Sequence, residues 1–437
     1  MRKFKTFLLM ITSIVLLAGV VYAVDPLFDT NVDYGIGIGP NSVYAIDLDG
    51  DDDIDLAVAN NKSDDISILL NNGDGTFQTA INYEAGHYPY SIFSIDLDGD
   101  GDNDLATDTR TLLNNGDGTF QASVGYFTGS SALVPWSVYS GDIDGDGDND
   151  LAALAFDAIW NMGSIHLYSN NGAGSFHLAV DIGIGYNRNP YSVILSDLDG
   201  DGDNDLVASH DEHTVVGNIT IYLNNGNGSF QTGNSYSTLK STSPRAIFST
   251  DFDGDGDNDL AVGWDGGGEV AILLNNGDGT FQPAVNYDAG SSSWSVFSAD
   301  LDDDGDDDIV TNASYLLNNG DGTFQPAVNY SAGGHSAFSN DLDGDGDNDL
   351  VKAGASPNIV SIWMNLTNPV WVCGDIDDVE GINILDIVAL INYEYKNIPL
   401  PGAMNAANVD GISPVNILDI VHLINNIYKG GPDPTCL

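Results

Sequence analysis

The sequence predicts a mainly β protein, a seven-bladed β-propeller followed by a small α-helical module. Three observations carry that expectation. An acidic nine-residue loop recurs seven times at the spacing of propeller blades. A hairpin-turn signature follows most of the loops. The last repeat lacks its final strand, and a matching segment stands ahead of the first repeat.

The loops keep Asp at positions one, three, five, seven and nine in every copy. They are Asp47, Asp49, Asp51, Asp53 and Asp55, then Asp96, Asp98, Asp100, Asp102 and Asp104. Asp142, Asp144, Asp146, Asp148 and Asp150 form the third, and Asp197, Asp199, Asp201, Asp203 and Asp205 the fourth. Asp251, Asp253, Asp255, Asp257 and Asp259 are followed by Asp300, Asp302, Asp304, Asp306 and Asp308. The seventh holds Asp341, Asp343, Asp345, Asp347 and Asp349. Together the seven windows hold 38 of the 65 acidic residues. Carboxylates at alternate positions of a tight loop converge on one point and call for a counter-charge. Hard cations such as calcium take six to eight oxygen ligands of this kind. The start resembles an EF-hand loop, but Asp-Leu-Ala-Val follows, which reads as a strand rather than a helix. Calcium is therefore the expected cofactor, held inside a β-hairpin. The bland reading, a solvated acidic face, does not explain seven copies with no Asp missing.

Only 11 Lys and Arg oppose those acids, giving a formal charge of −54. Seven bound calcium ions would leave about −40. Such a surface repels nucleic acid and anionic membranes. Arg2, Lys3 and Lys5 precede an apolar run from Phe7 to Val21 and then Tyr22-Ala23, the pattern of a secretory signal cleaved after residue 23. A retained anchor is the alternative, against which the run is short. Export would supply calcium for weak sites and an oxidising space for the two cysteines.

Downstream of six of the loops stands a second signature. Leu69-Leu70-Asn71-Asn72-Gly73-Asp74-Gly75-Thr76-Phe77 recurs from Leu112, Leu273 and Leu316, and more loosely from Leu167 and Tyr222. Asn-Gly-Asp-Gly between apolar runs marks a hairpin. One repeat thus reads as four strands, a to d, with the acidic loop between a and b. In the second repeat strand a is Ser91 to Ile95, b starts at Leu105, c is Thr111 to Asn114 and d is Phe120 to Tyr126. The seventh repeat has no strand d, whereas Phe28 to Tyr34 matches Phe77 to Tyr83. The N-terminal strand is expected to complete the last blade and remove a sheet edge. The propeller then spans residues 28–365.

These Asp-x-Asp-Gly-Asp-Gly-Asp-Asn-Asp-Leu loops resemble the FG-GAP/VCBS repeats of integrin α-subunit propellers and related bacterial secreted proteins. The resemblance implies seven blades, calcium in the a–b hairpins of one face, and ligands at the opposite face. Its functions range over adhesion, lectin-like binding and, rarely, catalysis, so fold alone does not choose.

Six residues before each loop stand Asn41, Tyr90, Trp136, Tyr191, Arg245, Trp294 and His335. Ring symmetry should set all seven around the channel mouth, where aromatic faces suit a sugar or a protein anchor. Packing between blades is the alternative. Catalysis finds little in the sequence. His210-Asp211-Glu212-His213 is the densest cluster of its kind and reads as a solvated b–c connection, and the serine-hydrolase, zincin and Cys-x-x-Cys motifs do not occur.

After a connector, 366–372, the pattern turns helical. Asn383 to Asn392 recurs as Asn416 to Asn425 with one difference, Ala389 to His422. Two loop–helix units resemble a type I dockerin, which implies a cohesin-like partner and a tie to polysaccharide breakdown. Carried over, its metal ligands would be Asp375, Asp377, Asn383 and Asp386, then Asn408, Asp410, Asn416 and Asp419. Position five departs, being Val379 and Ile412, which puts calcium there in doubt. A plain helical cap is the alternative. Cys373 and Cys436 bracket this module and are expected to pair, within the chain or between chains.

The sequence thus points to an exported calcium-binding propeller that binds carbohydrate or a surface protein and is tethered by its C-terminal module. A polysaccharide lyase or hydrolase and a structural surface protein are the rivals. A lyase acting on acidic sugars needs cations, and only eight Lys and Arg remain after the signal.

Overall fold

The computed structural model describes residues 27–126, 133–157, 159–212, 217–237, 243–330, 334–355 and 358–367. The signal segment, the dockerin-like module with its eight ligand positions, and both cysteines lie outside the described residues. No helix occurs among the described residues.

Seven four-stranded antiparallel sheets form the blades. In blade five, strand a is Pro244–Thr250, b is Asp259–Trp264, c is Glu269–Leu273 and d is Val285–Asp288. The strands a contact one another from blade to blade in a closed circle, so they line the axis. Strand b is buried on both faces, which is why Asp-Leu-Ala-Val reads as a continuous apolar run rather than an alternation.

The core is distributed. One apolar cluster sits at each junction between neighbouring blades, as where Leu56 and Val58 of blade one meet Val351 and Ile362 of blade seven. Each blade therefore buries its faces only against its neighbours, and an unpaired edge anywhere would open the ring. That edge is covered by the N-terminal strand. Val32–Gly35 pairs antiparallel with Asn358–Trp363, and Phe28 bridges Asn365 just as Phe77 bridges Asn71 in blade one.

The a–b loops and c–d turns share one end of the ring, the loop face. The b–c turns and d–a connections share the other. Both ends of the propeller meet on the loop face, where the Leu366 amide donates to the Leu27 carbonyl at 2.9 Å.

Candidate metal loops and a cup on the opposite face

Each acidic loop is built by its own backbone. In loop one the Asp47 carboxylate accepts the amides of Gly50 (2.8 Å) and Asp52 (3.1 Å), which curls the chain around it. The curl needs left-handed φ at positions four and six, supplied by glycine at both in five loops. Loop one has Asp52 at position six (φ 72°) and loop six has Asp303 at position four (φ 61°). Position two is a buried apolar plug, from Leu48 to Leu342.

The five carboxylates are not equivalent. Ligand atoms of Asp47, Asp49 and Asp55 lie within 4.8 Å of one another, as do those of Asp96, Asp98 and Asp104 and of Asp197, Asp199 and Asp205. In loops three and five the close groups are Asp142, Asp144 and Asp146, and Asp251, Asp253 and Asp255. Position seven turns towards the next turn instead: Asp53 Oδ2 would lie 2.6 Å from a Cβ on Gly73, and Asp102, Asp148, Asp203, Asp257 and Asp306 repeat that approach. Position nine is buried and doubly bonded. Asp55 accepts the Leu48 amide (2.9 Å) and the Asn71 amide (2.7 Å), and every other blade repeats both bonds. Burial pushes these carboxyls up, Asp104 to about 6, Asp55 to about 7 and Asp349 to about 8, against the lowering effect of the amides.

The donor set fits a hard divalent cation. Position three leaves its Oδ1 buried with no hydrogen-bond donor in six loops, at Asp49, Asp98, Asp144, Asp199, Asp253 and Asp302. Burial first, then neighbouring carboxylates, raises Asp98, Asp199, Asp253 and Asp302 above the usual range. A buried acceptor without a donor is costly, and a cation shared with positions one, five and nine would satisfy it. Calcium would be held there by Asp side chains of the chain itself.

One asparagine in every blade and a second in five of them, whose roles were not legible in the sequence, clasp the loops to one another. Asn114 donates through Nδ2 to the Leu48 carbonyl of the preceding loop (2.8 Å) and to the Asn103 carbonyl of its own (2.9 Å). Asn71, Asn170, Asn224, Asn275, Asn318 and Asn365 do the same around the ring. At position eight Asn103 reaches back to the Asp47 carbonyl, a bond repeated wherever that position is Asn.

The opposite face carries a cup. Asn41, Tyr90, Trp136, Tyr191, Arg245, Trp294 and His335 all line one cavity of about 230 Å³. None of the seven is buried, and Trp294 is 38% exposed. They form a nearly continuous stack. Tyr90 lies parallel to Trp136 (centroids 5.1 Å apart), and Trp136 meets Tyr191 edge-on at 6.2 Å. The Arg245 guanidinium sits 4.4 Å from the Tyr191 ring centre and 5.2 Å from that of Trp294, which in turn touches His335 at 4.9 Å. Asp265 pairs with Arg245 at 2.8 Å, and Asn41 Nδ2 donates to the Tyr90 carbonyl. Burial, with Lys62 adding to it, holds the His335 imidazole below its usual value.

Beneath this ring runs a belt that single-residue reading missed. The next residue is serine in six blades, and each hydroxyl bonds the following blade: Ser42 to the Ile92 amide, Ser91 to Val138, Ser137 to Val193, Ser192 to Ile247, Ser295 to Ala337 and Ser336 to Val43. Ala246 breaks it in blade five. Deeper still, Phe338, Tyr44, Phe93 and Tyr139 pack ring against ring at 4.5–5.1 Å.

The His210 cluster corrects the sequence reading. His210 lies in the strand Asp205–Glu212, fully buried, with Nε2 2.8 Å from Thr220 Oγ1. It is a packed strand residue, not a solvated connection, because its position is the inner end of strand b, fully buried in blades one and five too, at Asn60 and Trp264. Asp211 is bonded to cup residue Tyr191, whose hydroxyl donates to it at 2.8 Å. His213 lies outside the described residues.

Seven sheets, a carboxylate loop in each a–b hairpin and a cup at the far end define an acidic-loop β-propeller. The FG-GAP-like repeat family model matches residues 47–107, 107–153, 157–208, 197–262 and 251–311, more than half of the chain, and the protein belongs to that family. No protein of curated function matches it. Among solved structures, BBS1N in complex with ARL6DN is similar at TM-score 0.53 and 14% identity, covering 79% of this chain and 98% of that one. An Agrocybe aegerita lectin that recognises non-reducing terminal N-acetylglucosamine has TM-score 0.49 and 21% identity, covering 78% and 86%. The likeness to BBS1N speaks to the fold alone.

Proposed function

We propose that the chain is a secreted, calcium-loaded propeller that binds carbohydrate in its cup, tethered to an extracellular assembly through its C-terminal module. One observation carries the reading: seven ring residues, four of them Tyr or Trp, line a single open cup, with Trp294 38% exposed and the others half-buried. Tyr and Trp offer flat apolar faces with polar edges, the chemistry a pyranose ring uses. A cavity of about 230 Å³ is smaller than drug-sized pockets of ~300–1,000 Å³, which suits one sugar unit. The seven loops hold calcium as the cofactor and fix the ring on which the cup depends. A cohesin-like domain is the partner for the C-terminal module.

Glycan-array binding with and without EDTA tests this. Trp136→Ala and Trp294→Ala should each weaken binding by about 2 kcal/mol or more, as hot-spot aromatics do, while the melting temperature barely moves. If both variants instead lose stability at unchanged affinity, the ring is core and the reading fails.

A further inference from the structure

Blades three and four are taller than the rest on the cup face. Blade two has strands of 4, 4, 3 and 2 residues, and blade six repeats those lengths. Blade three has strands of 9, 8, 8 and 10 residues: Leu133–Gly141, Asp150–Asp157, Met162–Ser169 and His177–Tyr186. Blade four opens with Arg188–Ser196 paired to Asp205–Glu212. Strand d of blade three also starts three residues nearer the loop face than that of blade two, but strands a and b of blade three extend only beside the cup. Pro135, which precedes Trp136, pairs with Ala155, and strand b continues two residues to Asp157. At about 3.3 Å per residue the wall stands about 7 Å above the ring.

The wall ends in an apolar tip. Ile159 is 72% exposed, Trp160 68%, Tyr186 68% and Met162 44%. The tip is held in shape rather than left loose. Asp157 Oδ1 accepts the amides of Ile159 (2.8 Å) and Trp160 (3.0 Å), and the Asn187 amide donates to the Asn161 carbonyl at 2.8 Å. Asn161 and Asn187 take positive φ, 53° and 58°, to close the two turns. The wall is also braced to the cup. Asp211 accepts the Asn189 side-chain amide (3.0 Å) and the Tyr191 hydroxyl (2.8 Å).

We infer that this wall is a second saccharide subsite, with Trp160 and Tyr186 as its stacking faces, so that the protein binds a glycan chain running from the cup over the wall. The inference rests on the cup being a sugar site. Four large apolar side chains at these exposures offer on the order of 400 Å². That is half of the ~800 Å² per partner that a stable protein interface needs. It is ample for one or two sugar rings. The neighbouring Asp157, Asn161 and Asn187 add the polar edge that a sugar requires.

The test uses the full chain in calcium and oligosaccharide ladders of one to six units, drawn from hexose, N-acetylhexosamine and uronic acid series, read by titration calorimetry. In the series that binds, affinity should rise at least tenfold from the single sugar to the hexamer. Trp160→Ala with Tyr186→Ala should abolish that rise and leave single-sugar affinity unchanged, and Trp160→Phe should restore most of it. Trp136→Ala should weaken every length. A Trp160→Ala/Tyr186→Ala variant that binds the hexamer as the parent does overturns the wall subsite while sparing the cup. No binding by the parent across all three ladders overturns both. Trp160 and Tyr186 are solvent-exposed, and an unchanged melting curve certifies each variant's fold.

Discussion

The two faces of the ring are built from the same seven repeats and have diverged to opposite degrees. On the loop face every blade keeps a nine-residue loop, the same pair of amide bonds to the position-nine carboxylate and the same asparagine clasp. On the cup face the ring residue is Asn, Tyr, Trp, Arg or His, and strand a varies from 4 to 9 residues. A bond network that runs from blade to blade cannot change at one site without straining its neighbours. A side chain facing an open cup can change freely. On the proposed function, stability belongs to the loop face and recognition to the cup face, and changes on each should be read out differently.

Metal removal should break the comparison most sharply. Chelation leaves the loop carboxylates unneutralised at every blade junction, and EDTA should lower the melting temperature by tens of degrees. An apoprotein that melts unchanged would sink the assignment of stability to the loops. The pH dependence should also reverse sign. Without metal, buried position-nine carboxyls titrate at about 6 to 8, against ~3.9 in the unfolded chain. Their raised values favour the folded state at low pH, and that contribution is lost as pH rises through 6 to 8. Melting in EDTA should thus occur at lower temperature at pH 8 than at pH 5. With calcium, which binds the deprotonated groups, acidification should destabilise. Calorimetry across pH 5–8 in both conditions decides it.

Ring closure comes next in size. Deleting residues 28–34 removes the partner of Asn358–Trp363 and exposes a bare strand edge. Aggregation or strong destabilisation is expected in light scattering and thermal melts. A soluble, equally stable truncation would show that the last blade does not need its fourth strand.

The seven loops, the strand phase and the seven ring positions were legible because they repeat. Each copy votes on the same pattern, and Phe28 falls in register with Phe77 without any structural knowledge. The unequal roles of the five loop carboxylates were not legible. Asp53 and Asp55 are the same residue type two positions apart, and only the fold turns one to Gly73 and seats the other beneath two amides. The clasp through Asn114 was hidden for a related reason, since Asn-Asn-Gly already has a local reading as a turn. His210 misled because its neighbours are polar, although its position is a fully buried strand residue in blade five as well, at Trp264. The intervals of 55 and 54 residues after Asp142 and Asp197 were the one available signal of the taller blades.

The asparagine clasp offers a smaller test on the loop face alone. Asn275→Ala removes bonds to the Leu198 and Asn258 carbonyls, both 2.9 Å, from a buried site. It leaves the Asn258 carbonyl without this donor, while the Leu198 carbonyl still accepts the Gly279 amide at 2.9 Å, and a loss of about 1–3 kcal/mol is expected in denaturant melts. Glycan affinity should stay within error. A variant that weakens binding while keeping stability would mean that the two faces are coupled through the strands.

The smallest effect concerns the one loop whose sixth position is not glycine. Asp52 holds φ at 72°, where the corresponding Gly101, Gly147, Gly202, Gly256, Gly305 and Gly346 lie between 92° and 98°. A side chain in this region costs roughly 1 kcal/mol, somewhat less for Asp than for most residues. Asp52→Gly should therefore stabilise by about 0.5–1 kcal/mol, after part of the gain is offset by the greater freedom of glycine in the unfolded chain. For a ring of this size that is about 1–2 °C in melting temperature. Charge complicates the reading, because Asp52 also adds to a crowded loop. Asp52→Asn separates the two: it removes the charge while keeping a residue that tolerates the left-handed region. If backbone strain dominates, Asp52→Gly should gain the same amount with and without calcium, and Asp52→Asn little in calcium. If repulsion dominates, both variants should gain mainly in EDTA. Equal melting of all three proteins in both conditions would mean that the loop-one turn carries no strain, and that its departure from glycine is neutral.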